Sequence, residues 1–167
     1  MLPLVLNPIH IKAGLAGSGA ARDRRAALLA DAGMEVRLLP DVIPDALLEG
    51  LQILLVAGLA EGEARELAGR ARALGVLVNV EDTPYLCDFH VPAIVRRGEL
   101  LLTASTGGHA PGLARALRER LADEFGPEWT VRLKELGAAR ARWRSQGLSP
   151  HEVSQHVRDL IARMGWL

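Results

Sequence analysis

Ile9-His10-Ile11-Lys12-Ala13-Gly14-Leu15-Ala16-Gly17-Ser18-Gly19 runs from a strand-like segment into a glycine-rich loop. The residues that follow, from about Ala20 to Ala32, predict a helix with Leu28 and Leu29 on its apolar face and Gly33 as its stop signal. A strand that turns through glycines into a helix opens a β-α-β unit. The alternation then continues. Met34 to Leu39 predicts a short second strand closed by Pro40-Asp41. Leu51 to Ala57, apolar except for Gln52, is a run of strand length, as a parallel sheet covered on both faces requires. Ala64 to Leu74 predicts a helix ended by Gly75, and Val76 to Val80 another buried strand. The fold class is therefore α/β, a doubly wound, Rossmann-like parallel sheet.

The pattern changes after residue 92. Ala93 to Val95 and Leu100 to Ala104 predict strands joined through Arg96-Arg97-Gly98-Glu99 with no helix between them, which is a hairpin. Pro111 to Phe125, Glu128 to Ser145 and Pro150 to Met164 predict helices separated by Gly126-Pro127 and Gly147-Leu148. Pro111 and Pro150 suit first helical turns, and Ser149 suits an N-cap. Three segments result: a dinucleotide-binding region over 1–92, a strand-hairpin and helix segment over 93–125, and a small helical domain over 126–167.

A chain of 167 residues buries roughly two-thirds of its surface on folding, so it needs no staples. Basic and acidic residues balance at 20 each, which argues against generic nucleic-acid binding. Residues 1–92 hold 8 basic and 12 acidic groups, and residues 93–167 hold 12 basic and 8 acidic. A basic second half suits an anionic small ligand, or simply solvated helix faces. Cys87 is the only cysteine, so neither an internal disulfide nor a Cys-rich zinc pattern is possible. No apolar run approaches the ~20 residues that span a bilayer. The start of the chain lacks the basic region of a signal peptide. These features predict a cytoplasmic protein without a membrane partner.

The glycine loop suits a nucleotide. Glycines let backbone amides approach a pyrophosphate, and a helix N-terminus adds positive potential. Two registers fit: Gly17-x-Gly19-x-x-Arg22, and Gly14-x-x-Gly17-x-Gly19. Gly14, Gly17, Ser18, Gly19, Ala20 and Arg22 are the candidate cofactor residues here. Arg22 stands where a small residue usually packs, and could reach a phosphate. An acid for the ribose hydroxyls belongs at the end of the second strand. Asp41 is the nearest candidate, or else a turn residue. No basic cluster follows that strand, which favours NAD over NADP.

Two further strand ends carry polar groups where α/β folds bind ligands. Val78-Asn79-Val80-Glu81-Asp82-Thr83-Pro84-Tyr85-Leu86-Cys87-Asp88-Phe89 ends a strand in two acids and a proline turn. Ser105-Thr106-Gly107-Gly108 ends another in two hydroxyls and two glycines before a helix opens. Asp82 is a candidate base or a cap for the Thr83-Pro84 turn. The loop amides at Gly107 and Gly108, with Thr106, form a candidate anion nest. Arg115 and Arg118 share one helix face and either fork onto ligand carboxylates or pair with Glu119 or Glu124. Arg96 and Arg97 fall on the hairpin turn. The histidines at 10, 90, 109, 151 and 156 make no metal pair at helical spacing, so no dedicated metal cage is expected. His90 and His109 lie a loop away from these strand ends. Trp129, Trp143 and Trp166 predict core or interface packing.

Together these stretches resemble the dehydrogenase–chelatase domain at the N-terminus of siroheme synthases. Gly17-Ser18-Gly19 falls where that family has three glycines, and Arg24-Arg25 on its basic pair. Asn79-Val80-Glu81-Asp82 matches the strand end bearing its catalytic aspartate, here Asp82. Cys87-Asp88-Phe89, Pro92 to Val95 and Ser105 to Glu119 match its following segments. The resemblance implies NAD-dependent oxidation of precorrin-2 to sirohydrochlorin, then insertion of ferrous iron, a substrate held transiently near Asp82 and His90. It implies a homodimer built through the segment after residue 92. It places Ala57 and Gly58 on the nucleotide, where Ala57-Gly58-Leu59 departs from the usual polar strand end. Gly-Ser-Gly and Arg22 are further departures. A tetrapyrrole rimmed with eight carboxylates needs cations and amide donors, which assigns Ser105, Thr106, Gly107, Gly108, His109, Arg115 and Arg118 to substrate. Other readings are a non-enzymatic NAD/NADH-sensing dimer, in which the altered loop reports cofactor state, and a chelatase that has lost the dehydrogenase.

Overall fold

The structure, a computed structural model, describes every residue from Met1 to Leu167 and divides into two compact units, Met1–Val91 and Pro92–Leu167. The first holds strands β1 (Ala13–Gly17), β2 (Val36–Leu38), β3 (Ile53–Ala57) and β4 (Leu77–Val80), with helices α1 (Gly19–Asp31) and α2 (Glu61–Ala73). The strands form one parallel sheet in the order β2-β1-β3-β4. The chain runs from β1 to β2 on one side, then crosses β1 to enter β3. The carboxyl ends of β1 and β3 therefore flank a switch point, where open α/β sheets bind ligands.

Alternation along the strands sorts the core into two layers. Leu15, Ile53 and Leu55 pack with Leu29 and Ala26 of α1. Ala16, Leu54, Val56, Val78 and Val80 pack on α2 through Ala64, Leu67, Ala68 and Ala71. The alanines of α2 let its backbone approach the sheet closely. Leu15, Leu54 and Leu55 are fully buried, and each such burial contributes about 1.5–3 kcal/mol.

Several predicted boundaries move. The first strand begins at Ala13 rather than Ile9. Pro8 starts a 3-10 turn capped by the Asn7 side chain, and this leaves Ile9 exposed. The second strand shrinks to three residues at the sheet edge. Helix α2 starts at Glu61 rather than Ala64, where Glu63 Oε2 accepts the Ala60 amide at 3.3 Å.

The second unit opens with a hairpin, β5 (Ala93–Arg97) and β6 (Leu100–Ala104). Arg96 and Arg97 belong to the strand, and the loop is Gly98-Glu99 alone, with Gly98 left-handed at φ 59°. Three helices follow: α3 (Pro111–Glu124), α4 (Trp129–Ser145) and α5 (Pro150–Met164). Arg97 is a strand residue that caps a helix, not a turn residue. Its Nε donates to the Phe125 carbonyl at 2.8 Å and its Nη2 to Ala122 at 3.1 Å, which satisfies the carbonyl end of α3. Helix α5 starts with a reciprocal box. Ser149 Oγ accepts the Glu152 amide at 3.3 Å and Glu152 Oε2 accepts the Ser149 amide at 2.8 Å. Trp129 is buried, 5.1 Å from the Phe125 ring, and Arg132 lies over both Trp129 and Trp166. Trp143 stacks on His156 at 5.2 Å. No helix is long and apolar enough to cross a membrane.

Candidate functional site

The switch point is built from backbone. Gly17 ends β1 at φ 116°, and Gly58 follows β3 at φ 75°. The Ser18 amide donates to the Ala57 carbonyl at 3.2 Å, and Ser18 Oγ lies 3.4 Å from the Gly58 carbonyl. A Cβ on Gly17 would fall 1.7 Å from the Ala57 oxygen, and one on Gly58 would fall 2.2 Å from the Ser18 oxygen. Gly17, Ser18, Ala57 and Gly58 are thus locked together by close main-chain approach. Gly19 differs. It opens α1 at φ 67°, and a Cβ there would meet nothing within 4 Å. Ser18 makes no side-chain cap to the helix. The first-turn amides of α1, at Gly19, exposed Ala20 and beyond, therefore face open space with the helix dipole behind them. This cradle fits the pyrophosphate of a dinucleotide.

Other candidate cofactor residues are placed differently. Gly14 lies buried inside β1, where it makes room for Leu51, so it cannot belong to the loop. Arg22 is part-buried on α1 and pairs with Asp23 at 3.3 Å. Asp41 is exposed past the end of β2, two residues beyond Leu39, whose amide still pairs with Leu15 at 2.9 Å.

Asp82 stands at the carboxyl end of β4, two strand spacings, or about 10 Å, across the sheet from β1. It is exposed. It is the only non-glycine residue with positive φ, at 58°. Strain of this kind persists where surrounding contacts impose it, and it clusters at functional sites. The Asp82 carboxylate makes no hydrogen bond or ion pair, whereas its neighbours are fully engaged. The Glu81 amide donates to the Val56 carbonyl at 2.9 Å, the Thr83 hydroxyl donates to the Glu81 carbonyl at 3.2 Å, and the Glu81 carboxylate meets Arg25 at 3.6 Å. The next residues clamp the free edge of β4. Cys87 Sγ accepts the Val80 amide at 3.2 Å, and Asp88 Oδ2 accepts the Val78 amide at 2.8 Å. Arg72 grips Asp88 at 2.9 Å and the Leu86 carbonyl at 2.7 Å. Asn79 is buried and donates to the Phe89 carbonyl at 2.9 Å. Tyr85 donates to Glu61 at the start of α2, and Arg65 lies over the Tyr85 ring. The Tyr85 hydrogen bond and then Arg65 hold the Glu61 carboxyl below its ordinary range, and that carboxylate raises the Tyr85 phenol. None of these clamping contacts was read from the sequence. Within Cys87-Asp88-Phe89 the polar groups bond to β4: Cys87 Sγ to Val80, Asp88 Oδ2 to Val78 and the Phe89 carbonyl to Asn79.

The remaining candidates lie in the second unit. Thr106 Oγ1 accepts the Ala110 amide at 3.2 Å and Ser105 Oγ accepts the Gly107 amide at 3.3 Å. The hydroxyls therefore shape the loop from within, with Gly107 and Gly108 left-handed at φ 64° and 82°. Gly108 and His109 are exposed, and His90, in the first unit, is half-buried. Arg115 and Arg118 converge on Glu119 at 2.9 and 3.3 Å, the pairing alternative that the sequence left open. Arg115 in turn lowers the Glu119 carboxyl. No group of three or more His, Cys, Asp or Glu side chains is arranged to hold a metal ion.

Residues 4–93 match a family model described as putative NAD(P)-binding. Siroheme synthase of Nitrosococcus oceani is 33% identical over 97% of the chain, and that of Methylococcus capsulatus is 42% identical over 56% of it. The chain spans 37% and 19% of these two relatives. A solved structure titled SirC, precorrin-2 dehydrogenase, superposes with a TM-score of 0.70 at 17% identity, covering 96% of this chain and 89% of that one. At that identity the likeness is one of fold.

Proposed function

We propose that this chain, which belongs to the siroheme synthase N-terminal domain family of putative NAD(P)-binding proteins, oxidises precorrin-2 to sirohydrochlorin with NAD. One observation carries the reading: the unpartnered carboxylate of Asp82 is held left-handed on the same sheet edge as the open amides of α1. The oxidation takes a hydride and a proton from the substrate. Bound NAD supplies the hydride acceptor. The amides of Gly19 and Ala20 hold its pyrophosphate, and Asp41 suits a ribose hydroxyl. Asp82 accepts the proton, a task for which an exposed, uncommitted carboxylate is suited. In the second unit, taken by itself, Gly108 and His109 are exposed polar groups of a kind suited to binding carboxylates. Arg115 and Arg118 of the same unit bind ligand carboxylates only by giving up Glu119.

The finer parts of the reading go further. Asp82 also removes pyrrole protons when ferrous iron, as second substrate, enters sirohydrochlorin. A homodimer forms through residues 93–125, and the helical domain spans 126–167. Support for the dimer comes from α3, which has no buried residue and leaves Leu113 and Leu117 exposed, one turn apart. The proposed setting is the cytoplasm.

The test is an anaerobic assay with precorrin-2 and NAD, followed spectroscopically with and without ferrous ion. Sirohydrochlorin is the expected product without iron and siroheme with it. If precorrin-2 persists in both arms, the activity is refuted.

A further inference from the structure

We propose that Arg25 is a positioning residue that orients Asp82 through Glu81. The inference rests on the reading of Asp82 as the proton acceptor. Arg25 projects from α1, the helix whose first turn forms the proposed pyrophosphate cradle. Its guanidinium meets Glu81 at 3.6 Å, and the two side chains are only 14% and 22% exposed. A largely desolvated ion pair adds little net stability, because the desolvation cost offsets the attraction. What it fixes is geometry. Losing one partner leaves the other charge part-buried and unpaired, so the two stay together.

Glu81 is where such a fixing acts on Asp82. Its amide extends the β3–β4 ladder by one step, onto Val56, and its carbonyl accepts the Thr83 hydroxyl. With one carboxylate oxygen beside Arg25, both the main chain and the side chain of Glu81 have a partner. Asp82 follows this anchored residue directly, in the left-handed conformation at φ 58°. Arg24, one residue earlier, is exposed and unpaired, so the basic pair divides into a solvated arginine and a pin. The pin joins the cofactor helix to the strand end that carries the base. Movement of α1 is transmitted to Asp82 with no ligand contact by Arg25 itself.

The experiment compares wild type, Arg25→Met, Glu81→Gln and the charge swap Arg25→Glu/Glu81→Arg. Three readouts are taken on the full chain: kcat for precorrin-2 oxidation, Kd for NAD, and amide exchange of the segment from Glu81 to Leu86. Each single variant is expected to lose about tenfold in kcat, to keep its NAD Kd within about twofold, and to exchange about tenfold faster in that segment. The swap is expected to recover most of both losses. Unchanged kcat and exchange in the single variants overturn the proposal, as does a swap no better than either single. If wild type itself fails to oxidise precorrin-2, the functional reading falls instead. The exchange data then still decide whether Arg25 pins the turn, and Glu81→Gln, nearly isosteric, keeps that answer available should Arg25→Met unfold.

Discussion

A methyl group on Gly17 would sit 1.7 Å from the carbonyl oxygen of Ala57, too close for any side chain. The β1 and β3 ends meet main chain to main chain there, and Gly17 also needs its φ of 116°. Gly17→Ala is therefore expected to destabilise the fold by about 2–4 kcal/mol, from conformational strain and forced separation of the strands. Gly19→Ala meets no obstacle and bears only the cost of its left-handed backbone, about 1–2 kcal/mol. Chemical denaturation separates the two. Equal losses would contradict the division between a packing glycine and an open one.

Asp82→Asn isolates chemistry from fold, because asparagine tolerates the left-handed region as readily as aspartate does. The expected result is a loss of about 100-fold or more in precorrin-2 oxidation, with melting temperature and NAD affinity close to wild type. A variant that keeps wild-type turnover would place the base elsewhere.

Arg97→Met should loosen the second unit. The guanidinium holds the Phe125 and Ala122 carbonyls at the end of α3. Removing charged hydrogen bonds of this kind costs about 1.5–3 kcal/mol, measurable by urea unfolding. An unchanged midpoint would show that water satisfies those carbonyls equally well.

Helix α5 carries a pH signature. The Ser149 hydrogen bonds hold the Glu152 carboxyl below its ordinary range. A carboxyl lowered in the folded state stabilises it fully at pH above the ordinary glutamate value. That contribution fades as pH falls through the lowered one. Ser149→Ala is expected to cost about 0.5–2 kcal/mol near neutral pH. The difference from wild type should shrink as pH falls. A difference that grows on acidification would contradict the capping account.

Much of the first unit was legible because burial writes itself into strand composition. Ile53 to Ala57 is apolar since both faces of β3 are covered, and Gly33 and Gly75 mark where helices stop. The hairpin was legible from Gly98. The start of β1 was not, because Ile9 and Ile11 look strand-like while Pro8 and Asn7 close a 3-10 turn locally. In the site, the sequence marked Asp82 and Gly17-Ser18-Gly19. It could not tell which glycines serve packing, since that depends on where Ala57 and Ser18 meet in space. Nor could it show Arg25 on Glu81, a pair 56 positions apart in sequence. Arg97 was misread for the same reason. A charged residue near a turn looks free until a helix end arrives beside it.

The account centres on one carboxylate, and one measurement addresses it directly. Wild type and Asp82→Asn, each saturated with NAD, are mixed anaerobically with precorrin-2, and NADH formation is timed in a single turnover. The account predicts stoichiometric NADH from wild type and a rate lower by about 100-fold or more in the variant. Equal rates from the two proteins would contradict it.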